Sequence, residues 1–450
     1  MENKVNTRNV ILDLLLDVEK GKMSHVAFND KINRLMSNGQ FLVKQDRAFV
    51  TRVFQGTLEK QIELDYIINQ FSNIKTNKMK PVIRNTLRMS VYQLKYMDSV
   101  PERAVVSEAV KIVQKRKFVH LKGFVNGVLR TIIREMDNIK YPTEYPDNLS
   151  IEYSVSIWMI ELFDEQYGSA KEILDGLNES HETTIRVNTS KASVEDVINF
   201  LEYNDVKVRK SELVDEVLYI SNYDTLDSLN IFKAGMVTVQ NISSVLVGLV
   251  ADPQPNDYVV DVCAAPGGKS LHIAELLNGT GTVEARDLSE NKTKLIKQNI
   301  KRLDYKNVKV SEHDATKLDE SLVEKADIVI ADLPCSGLGV IANKSDIKNK
   351  MTKEQLDDLQ KLQREILETV SKYVKKGGNL IYSTCTINKD ENEVNARWIE
   401  ELGLKKRDID LKQILGVKEL PSNIKEIDGM VQILPSGNMD GFFVSEFVKE

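Results

Sequence analysis

The chain of 450 residues has few cysteines and few histidines, and neither type is clustered. Cys263, Cys335 and Cys385 are too few and too far apart for a disulfide framework or for a zinc site built on paired cysteines. The five histidines are equally scattered. We therefore predict that the protein binds no metal.

Long apolar runs are missing as well. No 18 consecutive apolar residues occur, whereas a transmembrane helix needs about 20. The first residues, Met-Glu-Asn-Lys, lack the basic and then apolar pattern of a secretion signal. We therefore expect a cytoplasmic protein without a membrane partner, and we further expect it to be a monomer.

The net charge of −6 conceals an uneven distribution along the chain. Residues 1–140 contain 25 Lys and Arg against 14 Asp and Glu, a net of +11, and the remainder has a net of −17. A basic first third on an acidic chain indicates contact with a polyanion. A solvated helical surface is equally compatible with the charge alone.

Four regions differ in their residue pattern. Residues 1–137 have apolar residues at helical spacing and predict an all-α bundle. Residues 138–149 carry two prolines and no periodicity, which predicts a linker. Residues 150–235 mix helical stretches with short strands and predict a small α+β module. In residues 236–450 strands alternate with helices, so we predict a doubly wound α/β domain.

The last region contains five strand candidates. They lie at 258–262, 282–285, 308–310, 327–331 and 379–383. The helix before the last strand is well marked, because Thr352 and Gln355 have the spacing of a capping box. Gly377-Gly378 predicts the end of that helix.

The first of these strands leads into the turn Cys-Ala-Ala-Pro-Gly-Gly-Lys at 263–269, after which a helix begins. Such a turn puts free backbone N–H groups at one end of a parallel sheet, where open α/β sheets bind nucleotide-like ligands. A Walker A loop would need glycine at Cys263, and no GxGxxG motif occurs. The turn therefore predicts a nucleotide-like ligand other than a triphosphate.

Two later turns also carry cysteines. Cys335 lies in Asp-Leu-Pro-Cys-Ser-Gly after the strand at 327–331, and Cys385 follows the strand at 379–383. Adjacent strands would bring both thiols to the carboxyl edge of the sheet, beside the ligand turn. A single cysteine is more often a small buried hydrophobic residue, but two at strand ends favour a chemical role.

Three stretches of the helical region resemble the NusB family of RNA-binding helical bundles. They are Leu-Arg-Met-Ser-Val-Tyr-Gln-Leu-Lys-Tyr-Met at 87–97, Val-Pro-Glu-Arg-Ala-Val-Val-Ser-Glu-Ala-Val at 100–110 and Gly-Phe-Val-Asn-Gly-Val-Leu-Arg at 123–130. The resemblance implies that residues 1–137 contact RNA through a basic face. The basic residues form two clusters, Lys75, Lys78, Lys80, Arg84 and Arg88, and then Lys111, Lys115, Arg116, Lys117 and Lys122.

Residues 235–450 resemble the RNA cytosine-C5 methyltransferases that use S-adenosylmethionine. The matching motifs lie at 261–270, 332–339 and 383–393, with Met-Asp-Gly-Phe-Phe at 439–443. With the NusB-like region in front, the whole chain resembles the bacterial 16S rRNA enzymes of the RsmB kind. The resemblance implies a Rossmann-like methyltransferase domain, S-adenosylmethionine as cofactor and 16S rRNA as partner.

The same resemblance implies roles for single residues. Cys385 matches the nucleophile, Cys335 the second cysteine that helps to release the product, and Asp332 the acid that contacts both cofactor and target base. Asp287 matches the acid that holds the ribose hydroxyls, and Asp314 the residue near the adenine; a turn or helix cap is the alternative for such carboxylates. The segment around the methionine end of the cofactor matches Cys263, Ala264, Ala265, Pro266, Gly267, Gly268 and Lys269.

Two positions depart from the family pattern. Asn241 stands where the family usually has an acid before its paired serines, and Arg286 stands where an apolar residue is expected before Asp287. Arg186-Val-Asn188 resembles the family's Arg-x-Asn, which suggests RNA contact. An ordinary strand is an equal alternative for that stretch.

The implied chemistry explains why these residue types are needed. C5 of cytosine is a poor nucleophile, and addition of a thiolate at C6 gives it enamine character. The reaction needs a thiolate at Cys385 and an acid that protonates N3 of the cytosine. It also needs the target nucleobase to be unstacked from its neighbours in the RNA. Two alternatives stay open: a tRNA cytosine-C5 methyltransferase, and a non-catalytic RNA-binding or antitermination factor, against which the cysteine pair and the complete cofactor turn argue.

Overall fold

The structure is a computed structural model that describes residues 5–179, 181–342 and 344–450. The chain forms two compact units: one comprises residues 1–171 and 342–351, and the other comprises 172–341 and 352–450. The first unit is helical, and the second contains a small α+β module and a large α/β sheet. The predicted fold class is confirmed.

The helical unit is built around its fifth helix. That helix packs against the first, third, fourth, sixth and seventh helices, so that its residues 85–93 are all buried. The predicted apolar face of the first helix, Ile11, Leu14, Leu15 and Val18, is buried against it. The helices are α1 Thr7–Glu19, α2 Ser24–Ser37, α3 Lys44–Glu59, α4 Gln61–Phe71, α5 Pro81–Tyr96, α6 Glu102–Lys115, α7 Lys122–Arg134, α8 Asp147–Tyr153 and α9 Ile157–Tyr167. The next helix, α10 Ala170–Asn178, begins in this unit, but its residues from 172 onward belong to the second unit.

The small module is a four-stranded antiparallel sheet in the order β2-β3-β1-β4. Its apolar side is covered by residues of the helix between the first two strands, among them Val197 and Leu201. The elements are β1 Thr183–Val187, α11 Val194–Tyr203, β2 Lys207–Lys210, β3 Val217–Ser221, α12 Asn230–Lys233 and β4 Val237–Val239.

The large sheet has nine strands, of which β5 to β9 are parallel. The order is β11-β12-β13-β9-β8-β5-β6-β7, with β10 paired to β13. The elements are α13 Ile242–Ala251, β5 Tyr258–Asp261, α14 Gly268–Leu276, β6 Thr282–Asp287, α15 Glu290–Leu303, β7 Val308–Glu312, β8 Ala326–Asp332, α16 Ser345–Lys350, α17 Lys353–Val370, β9 Val374–Thr384, α18 Asn395–Glu401, β10 Leu404–Arg407, α19 Leu411–Leu415, β11 Ile424–Ile427, β12 Met430–Ile433 and β13 Phe442–Lys449.

Alternate residues of the central strands face two separate cores. Val259 and Ile330 pack with residues of α13 and α14, whereas Val260 and Val329 pack with residues of α17 and α18. The strands are therefore apolar on both faces, which is why the sequence shows them as continuous apolar runs. The chain passes from β5 to β6 and β7, and then returns to β8 on the other side of β5. This switch of direction leaves a crevice at the carboxyl ends of β5 and β8.

The prediction that Gly377-Gly378 ends a helix is wrong. Helix α17 begins with the predicted capping box of Thr352 and Gln355, but it ends at Val370, and both glycines lie in β9. A Cβ on Gly378 would lie 2.8 Å from the carbonyl oxygen of Asp327, where the pairing of β8 with β9 shifts register. The glycine therefore allows two strands to approach closely at an irregular point of the sheet.

Helix α16 belongs to the helical unit although its sequence lies between β8 and α17. The backbone N–H of Ser24 donates to Oδ2 of Asp346 at 2.8 Å, and Nδ2 of Asn349 donates to the carbonyl of Leu58 at 2.7 Å. Burial lowers the pKa of Lys348 in the same helix to about 8. No local pattern in the sequence indicates this placement, because it depends on contacts between residues about 300 positions apart.

Candidate active site at the carboxyl edge of the large sheet

The two cysteines that follow strands lie side by side. Strands β8 and β9 are parallel neighbours with Asp332 opposite Ser383, so the turns after them meet. The Sγ atoms of Cys335 and Cys385 are 3.3 Å apart, neither cysteine forms a disulfide, and both are partly exposed. The hydrogen bond with Cys385, together with burial, raises the pKa of Cys335 well above its ordinary value. The structure thus brings the thiols together as their positions in the sequence predict.

Asp332, the last residue of β8, accepts a hydrogen bond on each of its carboxylate oxygens. Nζ of Lys269 donates to Oδ2 at 2.7 Å, and Oγ of Ser383 donates to Oδ1 at 2.9 Å. Burial alone would lower the pKa of Lys269, but attraction to Asp332 and Cys385 raises it. The ring of Phe442 lies 5.3 Å from Nζ. A fixed ammonium therefore lies in the field of both the carboxylate and the thiol of Cys385.

The turn between β5 and α14 presents small residues and a helix N-terminus to the crevice. Gly267 has a φ of 107°, in the left-handed region that favours glycine. Asp261, at the end of β5, is 1% exposed. Its Oδ2 accepts from Ser270, and its Oδ1 accepts no hydrogen bond from the residues that the structure describes. Burial raises the pKa of Asp261 to about 7. The sequence motif includes Asp261 but assigns it no role.

Asp287 and Asp314 lie at the ends of the next two strands. Oδ2 of Asp287 accepts from the backbone N–H of Ala265 at 2.8 Å, and Oδ1 pairs with Nζ of Lys292 at 2.9 Å. Asp287 therefore ties the ligand turn to β6. Hydrogen bonds from the hydroxyl and backbone N–H of Thr316 lower the pKa of Asp314. Asp314 caps its own turn, two strands away from β5.

A buried carboxylate that sequence reasoning missed lies directly behind the thiol pair. Glu391 is 0% exposed and stands in the π-helical turn Asp390–Val394. Its Oε2 accepts from the backbone N–H of Ser336 at 2.9 Å and from Nε2 of Gln363 at 2.9 Å. Nδ2 of Asn388 donates to Oε1 at 3.1 Å. The acidic run Asp-Glu-Asn-Glu predicts a solvated surface, so the sequence gives no signal for this burial.

The terminal motif at 439–443 contacts the Cys335 turn through two glycines. The backbone N–H of Gly441 donates to the carbonyl of Gly339 at 2.9 Å, and the N–H of Gly339 donates to the carbonyl of Cys385 at 3.2 Å. A Cβ on Gly339 would lie 2.2 Å from the carbonyl oxygen of Gly441. Glycine at this position allows the backbones of both cysteine turns and the terminal strand to meet.

The two departures from the family pattern have local structural partners. Oδ1 of Asn241 caps α13 by accepting from Ser243 N–H at 3.0 Å, and its Nδ2 donates to the carbonyl of Asn438 at 3.0 Å. An amide supplies both an acceptor and a donor at this point. Arg286 is 6% exposed and pairs with Asp319 at 2.8 Å. The ion pair with Asp319 therefore allows a buried arginine to stand where the family usually has an apolar residue.

Arg186 lies inside the second unit. It is 3% exposed, its Nη1 pairs with Oε2 of Glu275, and its Nε donates to Oε1 of Gln240 at 2.9 Å. Oε1 of Glu275 also accepts from the backbone N–H of Thr189 at 2.9 Å. This buried network connects the small module to α14. The RNA contact suggested for Arg186 is therefore wrong, and the alternative of an ordinary strand holds.

Among the residues described, no group of three or more His, Cys, Asp or Glu side chains has the arrangement of a metal site. No described helix is both long and apolar enough to cross a membrane.

Models of three known families match successive parts of the chain. Residues 5–134 match the NusB family, and residues 156–225 match the ferredoxin-like domain of RsmF/B-like methyltransferases. Residues 248–448 match the family described as 16S rRNA methyltransferase RsmB/F. The matches therefore follow the helical bundle, the small module and the large sheet in order.

Individual proteins are similar over the same length. The probable ribosomal RNA small subunit methyltransferase B of Bacillus subtilis (strain 168) is 34% identical over 458 residues, which cover 99% of each chain. The crystal structure of PH0851 has a TM-score of 0.84 at 28% identity and covers all of both chains. The structure of NSun6 from Pyrococcus horikoshii with SFG has a TM-score of 0.57 at 25% identity, covering 64% of this chain and 97% of that one.

Proposed function

The chain belongs to the RsmB/F family of 16S rRNA methyltransferases, and on this basis we propose that it methylates C5 of a cytosine in 16S rRNA through a covalent bond between Cys385 and C6. The single observation that carries the proposal is the thiol pair, with Sγ atoms 3.3 Å apart at the carboxyl edge of the sheet. A lone buried cysteine would need no such partner. The ion pair of Lys269 with Asp332 beside it supplies the charged groups that the chemistry requires.

The residues at the sheet edge fit S-adenosylmethionine. The buried Oδ1 of Asp261 is an acceptor without a protein donor, and an ammonium group such as that of the methionine end supplies one. The turn from Cys263 to Lys269 would enclose that end, with Asp332 at its border. Asp287 would hold the ribose hydroxyls, and Asp314 would lie near the adenine. When bound, the cofactor supplies the electrophilic methyl group that C5 attacks.

Cys385 adds to C6 as a thiolate in the proposed mechanism. The ammonium of Lys269 favours the negative sulfur, because opposite charges stabilise the ionised form. The electron pair of the sulfur forms the C6–S bond, and the ring then needs a proton at N3. Nζ of Lys269 donates to Asp332 across 2.7 Å, so we assign this pair the role of delivering that proton.

Product release reverses the addition. The C5 proton passes to water, and the electrons of the C–H bond restore the C5–C6 double bond. The C6–S bond breaks, its electron pair returns to Sγ of Cys385, and the N3 proton returns to the Lys269–Asp332 pair. Cys335 lies within hydrogen-bond distance of the leaving sulfur, and its S–H stabilises the thiolate as it departs.

Bisulfite sequencing of rRNA and tRNA, in cells with and without this protein, tests the proposed substrate. We expect one protein-dependent 5-methylcytosine in 16S rRNA. A protein-dependent site in tRNA would favour the tRNA alternative. If no 5-methylcytosine in either RNA depends on the protein, the result would favour a non-catalytic RNA-binding factor.

We further propose that a groove between α6 and α7, about 850 Å³ in volume, binds the phosphate backbone of the RNA. Four exposed cations line it, Arg103, Lys111, Arg130 and Arg134. Lys111 and Arg134 pair with nearby glutamates, but Arg103 and Arg130 have no ion-pair partner among the residues described. Unpaired cations beside a groove complement a polyanion.

The groove includes one residue, Lys111, of the basic clusters that the sequence indicates. Arg84 pairs with Glu19, Arg88 pairs with Asp65 at 2.6 Å, and Arg116 pairs with Asp13. The charge of these arginines is therefore compensated within the helical unit. Arg103 and Arg130, which lie outside both clusters, supply the uncompensated charge in the groove.

A further inference from the structure

The carboxylate of Glu391 is buried and carries no compensating cation. Its three donors are the neutral N–H groups of Ser336, Gln363 and Asn388, at 2.9, 2.9 and 3.1 Å. No ion pair involves Glu391 in the part of the chain that the structure describes. Because each donor N–H needs an acceptor lone pair, the three donors hold the carboxylate of Glu391 in one position behind the Cys335 turn. Its electrostatic interaction with Cys335 raises the pKa of that thiol.

Glu391 and its donors fix the backbone on both sides of Cys335. Ser336, which follows Cys335, donates to Glu391, and Nε2 of Gln363 also donates to the carbonyl of Pro334, which precedes Cys335, at 2.9 Å. Oγ of Ser336 lies 2.7 Å from Oγ1 of Thr386, the residue after Cys385. These contacts set the separation of the two thiols, since they join the two turns that carry them.

Different charged groups interact with the two sulfurs. Contact with Cys385 and burial are the largest causes of the raised pKa of Cys335, and the negative charges of Glu391 and Asp332 add to them. Cys385 shares an electrostatic interaction with the ammonium of Lys269.

We infer that Glu391 is a positioning residue that makes the two cysteines unequal: it holds Cys335 as the thiol of the pair, so that Cys335 donates its S–H to the thiolate of Cys385. The inference rests on the proposed role of Cys385 as nucleophile and explains why Cys385, and not Cys335, has that role. Neither sulfur changes oxidation state. The proton stays on Cys335 while Cys385 forms its bond to C6, and the same S–H meets the sulfur of Cys385 when that bond breaks.

Alkylation of the full-length protein by iodoacetamide, read for each cysteine by peptide mass spectrometry across pH, tests this inference. Only thiolates react, so the midpoint of each profile reports the ionisation of that thiol. In the wild type we expect Cys385 to react at lower pH than Cys335. The opposite order would overturn the inference, and this measurement depends on no variant.

Glu391→Gln removes the charge and keeps the side-chain shape. We expect the alkylation profile of Cys335 to move to lower pH, because the negative charge of Glu391 that raises its pKa is gone. Glu393→Gln is the matched control, because Glu393 is also buried, lies two residues away and pairs with Arg397. An unchanged Cys335 profile in a folded Glu391→Gln protein would overturn the inference.

The assay needs neither RNA nor cofactor, so it separates this inference from the proposed function. A protein that fails to methylate RNA but shows the expected order of thiols would leave the inference standing. If the wild-type protein methylates RNA but Glu391→Gln and Glu393→Gln both show the wild-type alkylation profile of Cys335, the inference is contradicted and the proposed function is not.

Discussion

Nζ of Lys269 lies 2.7 Å from Oδ2 of Asp332, and this ion pair joins the first turn of α14 to the strand that leads to Cys335. A residue of the ligand turn thereby reaches the centre of the proposed chemistry. Lys269 also interacts electrostatically with Cys385. One side chain therefore connects the ligand turn, Asp332 and the proposed nucleophile Cys385.

Lys269→Met should reduce methylation more than it weakens cofactor binding. The variant removes the cation that favours the Cys385 thiolate and half of the pair that delivers the N3 proton. We expect kcat to fall by about 10²-fold or more, the lower range for loss of an acid–base group. Lys269→Arg retains the charge and should lose less activity. Equal kcat in Lys269→Met and the wild type would exclude both roles.

Asp287→Ala should weaken S-adenosylmethionine binding by about 1–3 kcal/mol, the cost of a lost hydrogen bond to a charged group. Isothermal titration calorimetry measures this directly. Asp314→Ala is the comparison, and we expect a smaller loss because Asp314 caps its own turn. Glu284 does not offer a substitute acid, since it is bound to Tyr258 and Arg286. Unchanged affinity in Asp287→Ala would remove Asp287 from the cofactor site.

Asp261 should make the stability of the second unit depend on pH. Burial raises the pKa of Asp261 to about 7, whereas an unfolded aspartate titrates near 4. The folded state therefore holds the proton more tightly, and the stability from this group is lost as pH rises through 7. The free energy of unfolding should fall by about 1.4 kcal/mol between pH 6 and pH 8 from this cause.

Asp261→Asn should abolish that part of the pH dependence, because the amide does not titrate in this range. Thermal unfolding midpoints of wild type and variant, measured at both pH values, give the comparison. Asp314→Asn is the control, since hydrogen bonds from Thr316 lower the pKa of Asp314 and keep it out of this range. The same fall in Asp261→Asn as in the wild type would show that another group is responsible.

Reversing the two unpaired arginines of the α6–α7 groove should weaken RNA binding. For Arg103→Glu with Arg130→Glu we expect the slope of log K against log salt to fall by about 1 for each phosphate that the groove no longer neutralises. Arg34→Glu with Lys44→Glu changes the same charge at other exposed positions of the helical unit. Equal slopes for both double variants would show that net charge, and not the groove, binds RNA.

Charge reversal is a sharper test of the helical unit than deletion. Removal of residues 1–137 would also remove Ser24 and Leu58, which hold Asp346 and Asn349 of α16. The segment 342–351 would then lose its packing, only a few residues after the Cys335 turn. A truncated protein would therefore change the candidate active site and the RNA-binding surface together.

Local patterns in the sequence predict much of the large sheet and of the site. Continuous apolar runs mark the central strands β5 and β8 because both of their faces are buried, and adjacency of the parallel strands β8 and β9 then brings Cys335 and Cys385 together. Strand ends are less well predicted: β9 begins at Val374, five residues before its apolar run, because Gly377 and Gly378 interrupt the pattern.

Long-range contacts account for what the sequence does not predict. Glu391 lies in an acidic run that is typical of a surface, and its burial depends on donors that include Ser336 and Gln363, from distant parts of the chain. Arg186 is buried by Glu275, 89 residues away. In both cases a distant hydrogen-bond or ion-pair partner determines whether the charged residue is buried or exposed. The local sequence around the residue does not identify that partner.

The covalent adduct between protein and RNA tests the central claim most directly. The thiols lie 3.3 Å apart, so both reach the same region, and a denaturing gel of each variant with 16S rRNA and S-adenosylmethionine distinguishes their roles. We predict that Cys385→Ala neither methylates RNA nor forms an adduct. Cys335→Ala should accumulate an adduct because elimination stalls. An adduct that persists in Cys385→Ala and is absent from Cys335→Ala would contradict the assignment of the nucleophile.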